Sequence, residues 1–286
     1  MINSLVRTAD LSDHQQLSNL IFFETHLHRH LDWRSPLEWL GAPFYWALEE
    51  GRRITAALAC PPEVDGVAWV RLFVYSGHWS PQNAWSMLWS TAKVDVAAAG
   101  GAKVAAIAMQ PWFQRVLAAS GFENRQQIVM LEWLGIAGQT WAAREATGIQ
   151  IRAMKPSDLH AVAKTDHSSF DPLWHNSTDT IERAYSQALY ATVAEGSDGI
   201  IGYQLTTGHQ QRAHLARLAV HPSLQGRGVG RALLSDLYSR LMQAGIIRLS
   251  VNTQSDNSAS LSLYKKMGFN RTGEEYPVYT INVPAS

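Results

Sequence analysis

The sequence predicts an α/β protein made of two similar domains, in each of which helices flank a sheet. Three observations lead to this prediction: an internal duplication, a repeated order of strands and helices, and a glycine-rich loop between a strand and a helix. The 286 residues are 46% hydrophobic, enough to bury a core in each of two domains. We expect domains at 1–137 and 149–286, joined by a linker within 135–148.

The duplication is read from short matching segments. Each segment of the first half recurs in the second half, in the same order and at an offset near 145 residues. The matched pairs are 6–13 with 151–158, 71–74 with 217–220, and 120–122 with 267–269. A period this long indicates a duplicated domain, since solenoid repeats recur every 20–50 residues or so.

Hydrophobic periodicity places the elements of the second half. Apolar alternation predicts strands at 190–194, 200–205, 213–220 and 246–252, and a last strand at 279–283 that closes the same sheet. Apolar residues at helical spacing predict a helix after the glycine loop, and a second helix is expected over 257–267. The apolar stripe of the first helix consists of Leu233, Leu234, Leu237, Tyr238 and Leu241.

The glycine-rich loop carries the strongest functional signal. Glycines let the backbone approach a ligand closely, and the N–H groups at a helix N-terminus attract anions, so a diphosphate fits there. The loop is not a Walker A sequence, and Arg231 stands where a dinucleotide fingerprint needs its third glycine. Its residues are Gln225, Gly226, Arg227, Gly228, Val229, Gly230 and Arg231.

Charge and cysteine content exclude several classes of protein. The formal net charge is zero and the pI is about 7.2, which argues against a nucleic-acid partner. No apolar run is long enough for a membrane span or a signal peptide, and the single cysteine, Cys60, excludes an internal disulfide. We expect a cytoplasmic protein, a monomer or homodimer, with no membrane partner and no metal.

The loop, read as Gln-x-x-Gly-x-Gly, resembles motif A of the GNAT superfamily of acyl-CoA-dependent N-acetyltransferases. Residues 257–269 resemble motif B of the same family, Asn-x-x-Ala-x-x-x-Tyr-x-x-x-Gly-Phe, with Ser260 in place of the alanine. The resemblance covers residues 151–283. It implies two tandem GNAT (acyl-CoA N-acyltransferase) folds of the α+β type, each with a mixed, mostly antiparallel sheet flanked by helices.

The resemblance also implies an activity. The expected reaction is direct transfer of an acetyl group from acetyl-CoA (coenzyme A) to a primary amine within a ternary complex, the amine belonging to a small molecule or a peptide. A non-catalytic acyl-CoA-binding or regulatory module is the alternative. The residues implied in cofactor binding are the loop 225–231 together with Leu218, Ala219, Val220, Asn257, Ser260 and Tyr264.

Two catalytic residues are expected. By its place in motif B, Tyr264 would protonate the departing thiolate; the alternative is a tyrosine that only packs in the core. Many relatives carry a glutamate as base in the strand before the loop, but residues 211–220 contain no carboxylate. His214 stands where some relatives place that glutamate, and an imidazole suits base catalysis at neutral pH. A histidine that merely hydrogen-bonds is the alternative.

The resemblance implies that acceptor recognition comes from the first helices of the second half, where residues 167–176 take the place of the family's acceptor-binding loop. Phe170 and Trp174 would wall a pocket, Asp171 would attract an ammonium group, and Tyr276 would line the other side. A plain exposed turn over residues 167–176 is the alternative.

The first half departs from the motifs. Its loop region, 77–84, has lost the motif glycines, and Leu117 and Gln110 stand in the places of Tyr264 and Asn257. We expect a degenerate domain without a cofactor site. Its ten tryptophans predict an aromatic core, with an aromatic pocket as the alternative. The segment 26–30, with three alternate histidines, follows a predicted helix; in a helix these residues would not share a face, which argues against a metal site.

Overall fold

The computed structural model describes residues 4–136, 148–197 and 199–286, so most of the predicted linker lies outside the described residues. It confirms the α/β class. The helices are α1 His14–Phe23, α2 Pro81–Ala98, α3 Pro111–Ala119, α4 Leu159–Ser169, α5 Thr178–Gln187, α6 Val229–Gln243 and α7 Ser258–Lys266. The strands are β1 Ser4–Thr8, β2 Leu27–Arg29, β3 Tyr45–Glu50, β4 Arg53–Ala59, β5 Val67–Trp69, β6 Leu72–Tyr75, β7 Ala102–Ile107, β8 Glu123–Leu134, β9 Gln150–Ala153, β10 Tyr190–Gly196, β11 Gly199–His209, β12 Arg212–Val220, β13 Arg248–Gln254 and β14 Asn270–Val283.

The chain divides into two compact units. Unit 1 comprises Met1–Gln126 and Tyr276–Ser286, and unit 2 comprises Gln127–Glu275. These units differ from the predicted domains at two segments, because residues 127–136 belong to unit 2 and residues 276–286 to unit 1. In the described ranges, no helix has both the length and the apolar character that crossing a bilayer requires.

The sheet of unit 2 runs in the order β8-β13-β12-β11-β10-β9. Its strands pair antiparallel except for β12 and β13, which are parallel and joined by α6 as a crossover helix. The core between this sheet and helices α6 and α7 buries residues from β8 as well as from β12 and β13. Trp133 of β8 stacks on Tyr238 of α6, with 4.2 Å between ring centroids.

The prediction for the last strand was wrong. Instead of closing the sheet of the second half, residues 278–283 of β14 pair antiparallel with β7 in unit 1. The strand that pairs with β13 in unit 2 is β8, from the first half of the sequence. Apolar alternation shows which face of a strand is buried but not which neighbour it pairs with, and both halves end in a similar Gly-Phe-strand segment.

Unit 1 contains two groups of paired strands, β1-β3-β4-β6-β2 and β5-β7-β14. The segment with the three histidines is not helical: α1 ends at Phe23, and β2 pairs antiparallel with β6. The aromatic-core prediction is confirmed for five tryptophans, each at most 8% exposed: Trp39, Trp46, Trp69, Trp85 and Trp89.

The duplication extends to individual hydrogen bonds. In unit 1, Arg7 binds Asp13 with two nitrogens and donates from Nε to Glu49 at 2.7 Å. In unit 2, Arg152 binds Asp158 in the same way and donates from Nε to Glu195 at 2.6 Å. An identical bidentate arrangement at the predicted offset supports a duplicated domain.

Candidate active site

The glycine loop forms an open N-terminus on α6. Gly226 and Gly228 have φ angles of 77° and 87°, a region that favours glycine, and Gly228 is the N-cap residue without a side chain to bond the first turn. The first α-type hydrogen bond joins Ala232 N to Gly228 O at 2.9 Å, so the N–H groups of residues 229–231 have no α-helical partner. A Cβ placed on Gly226 or Gly228 meets nothing within 4 Å. This exposed cradle of donors fits a diphosphate.

Three elements converge beside this loop. A Cβ on Gly230, in the first turn of α6, would lie 2.9 Å from Leu263 of α7 and 3.8 and 3.9 Å from Val220 and Leu218 of β12. Only a residue without a side chain allows this approach without displacing Leu263. The loop is thereby held against the end of β12, and Gln225 Nε2 donates to Val220 O at 3.1 Å.

Strands β12 and β13 separate before they end. They pair only from Arg212 with Arg248 to Leu215 with Val251, although β12 continues to Val220 and β13 to Gln254. A bulge at Ala216 shifts the register of β12 against β11 at the same level. In the described part of the chain, residues 216–220 therefore pair with a strand on one side only.

The open edge of β12 offers backbone donors. His221 N donates to Ile201 O of β11 at 2.9 Å, and the register pairs Ala219 with Tyr203. Because bonding alternates along an antiparallel ladder, the N–H groups of Leu218 and Val220 point away from β11, toward the side from which β13 has diverged. Ala219 instead bonds within the sheet. This edge is suited to hold an extended, amide-containing chain.

Tyr264 lies in α7 and is 4% exposed. Burial raises its pKa, an effect that the charge of Arg217 partly offsets, so the phenol is protonated at neutral pH. Asn257 caps α7, since its Oδ1 accepts from Ser260 N at 3.1 Å, while its Nδ2 lies 3.4 Å from Gln254 Oε1. The motif B asparagine thus has a structural role that orients the helix bearing Tyr264.

His214 lies on β12 just before the strands separate. Its Nδ1 is 2.9 Å from Ser250 Oγ of β13, the residue beside it in the parallel register. Burial lowers the pKa of His214, and a hydrogen bond with Asn252 partly offsets this effect. The imidazole is therefore neutral at pH 7, the state that a general base requires.

The predicted acceptor segment contains a short turn that is tied to β12 by a residue the sequence prediction missed. Arg217 binds Asp166 of α4 through two nitrogens, donates to Trp174 O at 2.6 Å, and lies 3.5 Å above the ring of Phe170. Asp166 is fully buried and also accepts from Tyr203 Oη and Asn176 N.

One feature of the sequence could have pointed to Arg217: the duplication places Arg71 at the corresponding position of the first half. Asp171 is exposed and accepts from Leu173 N at 3.0 Å, so part of its role is to shape the turn. Tyr276 lies in the segment that belongs to unit 1, and its role in acceptor binding stays a prediction.

Comparisons with known proteins agree with this geometry. The profile of the acetyltransferase (GNAT) family matches residues 159–269. An acetyltransferase of Yersinia enterocolitica is 30% identical over 124 residues, which covers 42% of this chain and 87% of that protein. The chain belongs to the GNAT acetyltransferase family. This family membership agrees with the resemblance of its two motifs.

A longer match shows how the GNAT chain relates to a curated enzyme. Mycothiol acetyltransferase from Amycolatopsis mediterranei is 26% identical over 198 residues, which covers 62% of this chain and 65% of that enzyme. The chain therefore spans slightly less than two thirds of that relative's length.

Solved structures confirm two GNAT folds in tandem. A tandem GNAT protein from the clavulanic acid biosynthesis pathway has a TM-score of 0.66 at 14% identity, with 100% of both chains covered. A GCN5-related N-acetyltransferase from Sphaerobacter thermophilus has a TM-score of 0.64 at 15% identity, with 99% and 96% covered. At these identities the likeness concerns the fold alone.

In the residues of the first GNAT unit that the structure describes, both features of the candidate site are missing. Its helix α2 begins at Pro81, which has no N–H, and the Ser80 side chain caps it by accepting from Asn83 N at 3.1 Å. Strand β6, which corresponds to the open segment of β12, pairs with β4 on one side and with β2 on the other. Its own strand β2 thus covers the edge that remains open in unit 2.

Proposed function

We propose that the chain is an acetyl-CoA-dependent N-acetyltransferase that moves an acetyl group directly to a primary amine, with both substrates bound together. One observation carries the proposal: the uncapped N-terminus of α6 converges with the open edge of β12 in unit 2. The free N–H groups at the helix N-terminus can bind the pyrophosphate of coenzyme A, and the strand edge beside them can hold its amide-containing pantetheine arm.

The residues of unit 2 fit the cofactor. The N–H groups of residues 229–231 would hold the pyrophosphate, and Arg227 and Arg231 are exposed beside them and add positive charge. Leu218 and Val220 would donate their N–H groups to the pantetheine arm and to the thioester oxygen. Bound acetyl-CoA supplies the acetyl group as an activated thioester.

Two side chains move protons in the proposed reaction. His214 accepts a proton from the amine, directly or through a water that it holds, and its lowered pKa keeps the imidazole neutral for this task. Tyr264 donates its hydroxyl proton to the leaving sulfur, and its raised pKa keeps the phenol protonated until then. Holding the amine and the thioester together makes the attack effectively unimolecular.

The acceptor proposed is an amine on a small molecule or a peptide. Phe170 and Trp174 are half-buried beside Arg217, and Asp171 presents a carboxylate at the exposed start of the turn. An aromatic wall with a nearby negative charge suits an ammonium group. The name of the Amycolatopsis mediterranei enzyme concerns the acceptor of that enzyme, and for this chain we propose only the chemical class, a primary amine.

Replacing the base tests the proposal. His214→Gln keeps a polar side chain but cannot take up a proton, so acetyl transfer at neutral pH should fall by about 10²-fold or more. In the parent enzyme the rate should rise as His214 loses its proton, and this acidic limb should lie below pH 6.5, since burial lowers the pKa.

The variant should lose that limb when kcat/KM is followed across pH with a panel of primary amines. His209→Gln is the matched control, because His209 is exposed at the end of the neighbouring strand β11. An unchanged profile in His214→Gln would show that the base lies elsewhere.

A further inference from the structure

We infer that Ser250 is a positioning residue that holds His214 in the tautomer with its proton on Nδ1, leaving Nε2 free to accept the amine proton. The inference deepens the proposed function and rests on His214 as the base. No motif of the sequence points to Ser250, which becomes visible only through the pairing of β12 with β13.

The strand register brings the two side chains together. His214 and Ser250 are direct neighbours in the parallel pairing, so their side chains lie on the same face of the sheet. Ser250 Oγ is 2.9 Å from His214 Nδ1 and 3.4 Å from the carbonyl oxygen of Ala213. A hydroxyl has one proton to donate. When Ser250 donates it to Ala213, its oxygen can only accept from Nδ1–H, and the lone pair of the neutral imidazole is then on Nε2.

Asn252 provides the competing arrangement. It lies two residues after Ser250 on the same face of β13, beyond the last paired residue, and it also hydrogen-bonds the His214 ring. This bond raises the pKa of His214, as expected of an amide oxygen that accepts from a ring N–H. With Nδ1 held by Ser250, an Asn252 oxygen that accepts from Nε2–H of the neutral ring would favour the proton on Nε2, where it would block the base. After proton uptake the same bond stabilises the imidazolium. Ser250 thus selects the tautomer before the reaction, and Asn252 supports the product state.

The charged groups around His214 do not determine which tautomer the ring adopts. Arg248 of β13 forms an ion pair with Glu132 of β8. On β11, the residue paired with His214 is Thr207, and its hydroxyl donates to the backbone carbonyl of His214 and not to the ring. On β12 itself, Arg212 is exposed at the start of the strand.

The remaining charges come from α4 and from the far end of β12. Asp166 of α4 is neutralised by Arg217. Lys164 and His167 of the same helix are exposed. His160, near the helix start, is exposed as well. A change in the pH dependence after substitution of Ser250 therefore reports on the Ser250–His214–Asn252 contacts.

The test combines kinetics with a direct reading of the tautomer in the full-length protein. In the parent, two-bond ¹H–¹⁵N spectra above the His214 pKa should show Nδ1 protonated. In Ser250→Ala, the proton should move to Nε2 and kcat should fall about tenfold, since the lone pair then faces away from the amine. The KM for acetyl-CoA should be unchanged, and the acidic limb should move to lower pH, because an acceptor for the imidazolium has been lost.

Three further variants make the test specific. Ser250→Thr keeps the hydroxyl and should retain the parent tautomer and rate. Adding Asn252→Leu to Ser250→Ala should restore part of the lost rate, since the competing acceptor is gone. Ser239→Ala, which removes a hydroxyl bonded within α6, is the control and should change nothing.

Two results would overturn the inference: an Nε2-protonated His214 in the parent, or an unchanged tautomer and pH profile in Ser250→Ala. These outcomes differ from the result expected if His214 is not the general base. If His214 is not the base, His214→Gln would be fully active, and the spectra would still report whether Ser250 sets the tautomer.

Discussion

Residues 149–286 expressed alone should fail to fold, whereas residues 127–275 should form a folded unit that binds coenzyme A. The shorter fragment lacks the part of β8 that pairs with β13 and fills the core of unit 2 with Val129, Leu131 and Trp133, each at most 3% exposed. Removing one large buried apolar side chain costs about 2–5 kcal/mol. The loss of three approaches the whole stability of a domain, about 5–15 kcal/mol.

Circular dichroism and denaturant unfolding of the two fragments provide the comparison. Residues 127–275 should unfold cooperatively, and residues 149–286 should be unfolded or aggregated, because the unpaired edge of β13 is also exposed. A third fragment, 127–286, controls for the C-terminal segment. If residues 149–286 unfold at the same denaturant concentration as residues 127–275, the assignment of β8 to unit 2 is wrong.

Tyr264→Phe should lower kcat by about 10²–10⁴-fold, the usual contribution of one acid–base group. Only a hydroxyl is removed, so the fold and the affinity for coenzyme A should stay those of the parent. The ring keeps its packing in the core beside Phe269, 5.3 Å between centroids. Steady-state kinetics with the best amine, in a regime where chemistry limits the rate, provides the measurement.

A neighbouring tyrosine supplies the control for that variant. Tyr238→Phe also removes a buried hydroxyl, one that donates to Met267 O at 2.8 Å. It should cost about 1 kcal/mol of stability and leave kcat near the parent value. Parent-like turnover in Tyr264→Phe would show that another group, or water, protonates the leaving sulfur.

Local features of the candidate site were predictable from the sequence because they depend on near neighbours. A strand, three glycines and an amphipathic helix in succession dictate an uncapped helix N-terminus, and the φ angles of Gly226 and Gly228 have the sign that only glycine adopts readily. The spacing in motif B likewise placed Tyr264 and Asn257 on α7.

Features that depend on strand partners were not predictable. The pairing of β8 with β13 joins residues more than 100 positions apart, and apolar alternation is equally satisfied by either sheet. For the same reason the sequence did not reveal Ser250 beside His214, or Arg217 beneath the acceptor segment. The argument against a shared face for the three histidines of residues 26–30 assumed a helix, yet Leu27–Arg29 is strand β2, which pairs with β6.

The central claim is that unit 2 holds the one coenzyme A site, and calorimetric titration of the full chain tests it most directly. The account predicts one cofactor per chain. Gly228→Val should abolish measurable binding, because a β-branched residue cannot adopt the φ of 87° without strain and its side chain would enter the phosphate cradle. Gly245→Val imposes similar strain just beyond the other end of α6, at a φ of 71°, and should bind like the parent. Two cofactors per chain, or undiminished binding by Gly228→Val, would contradict the account.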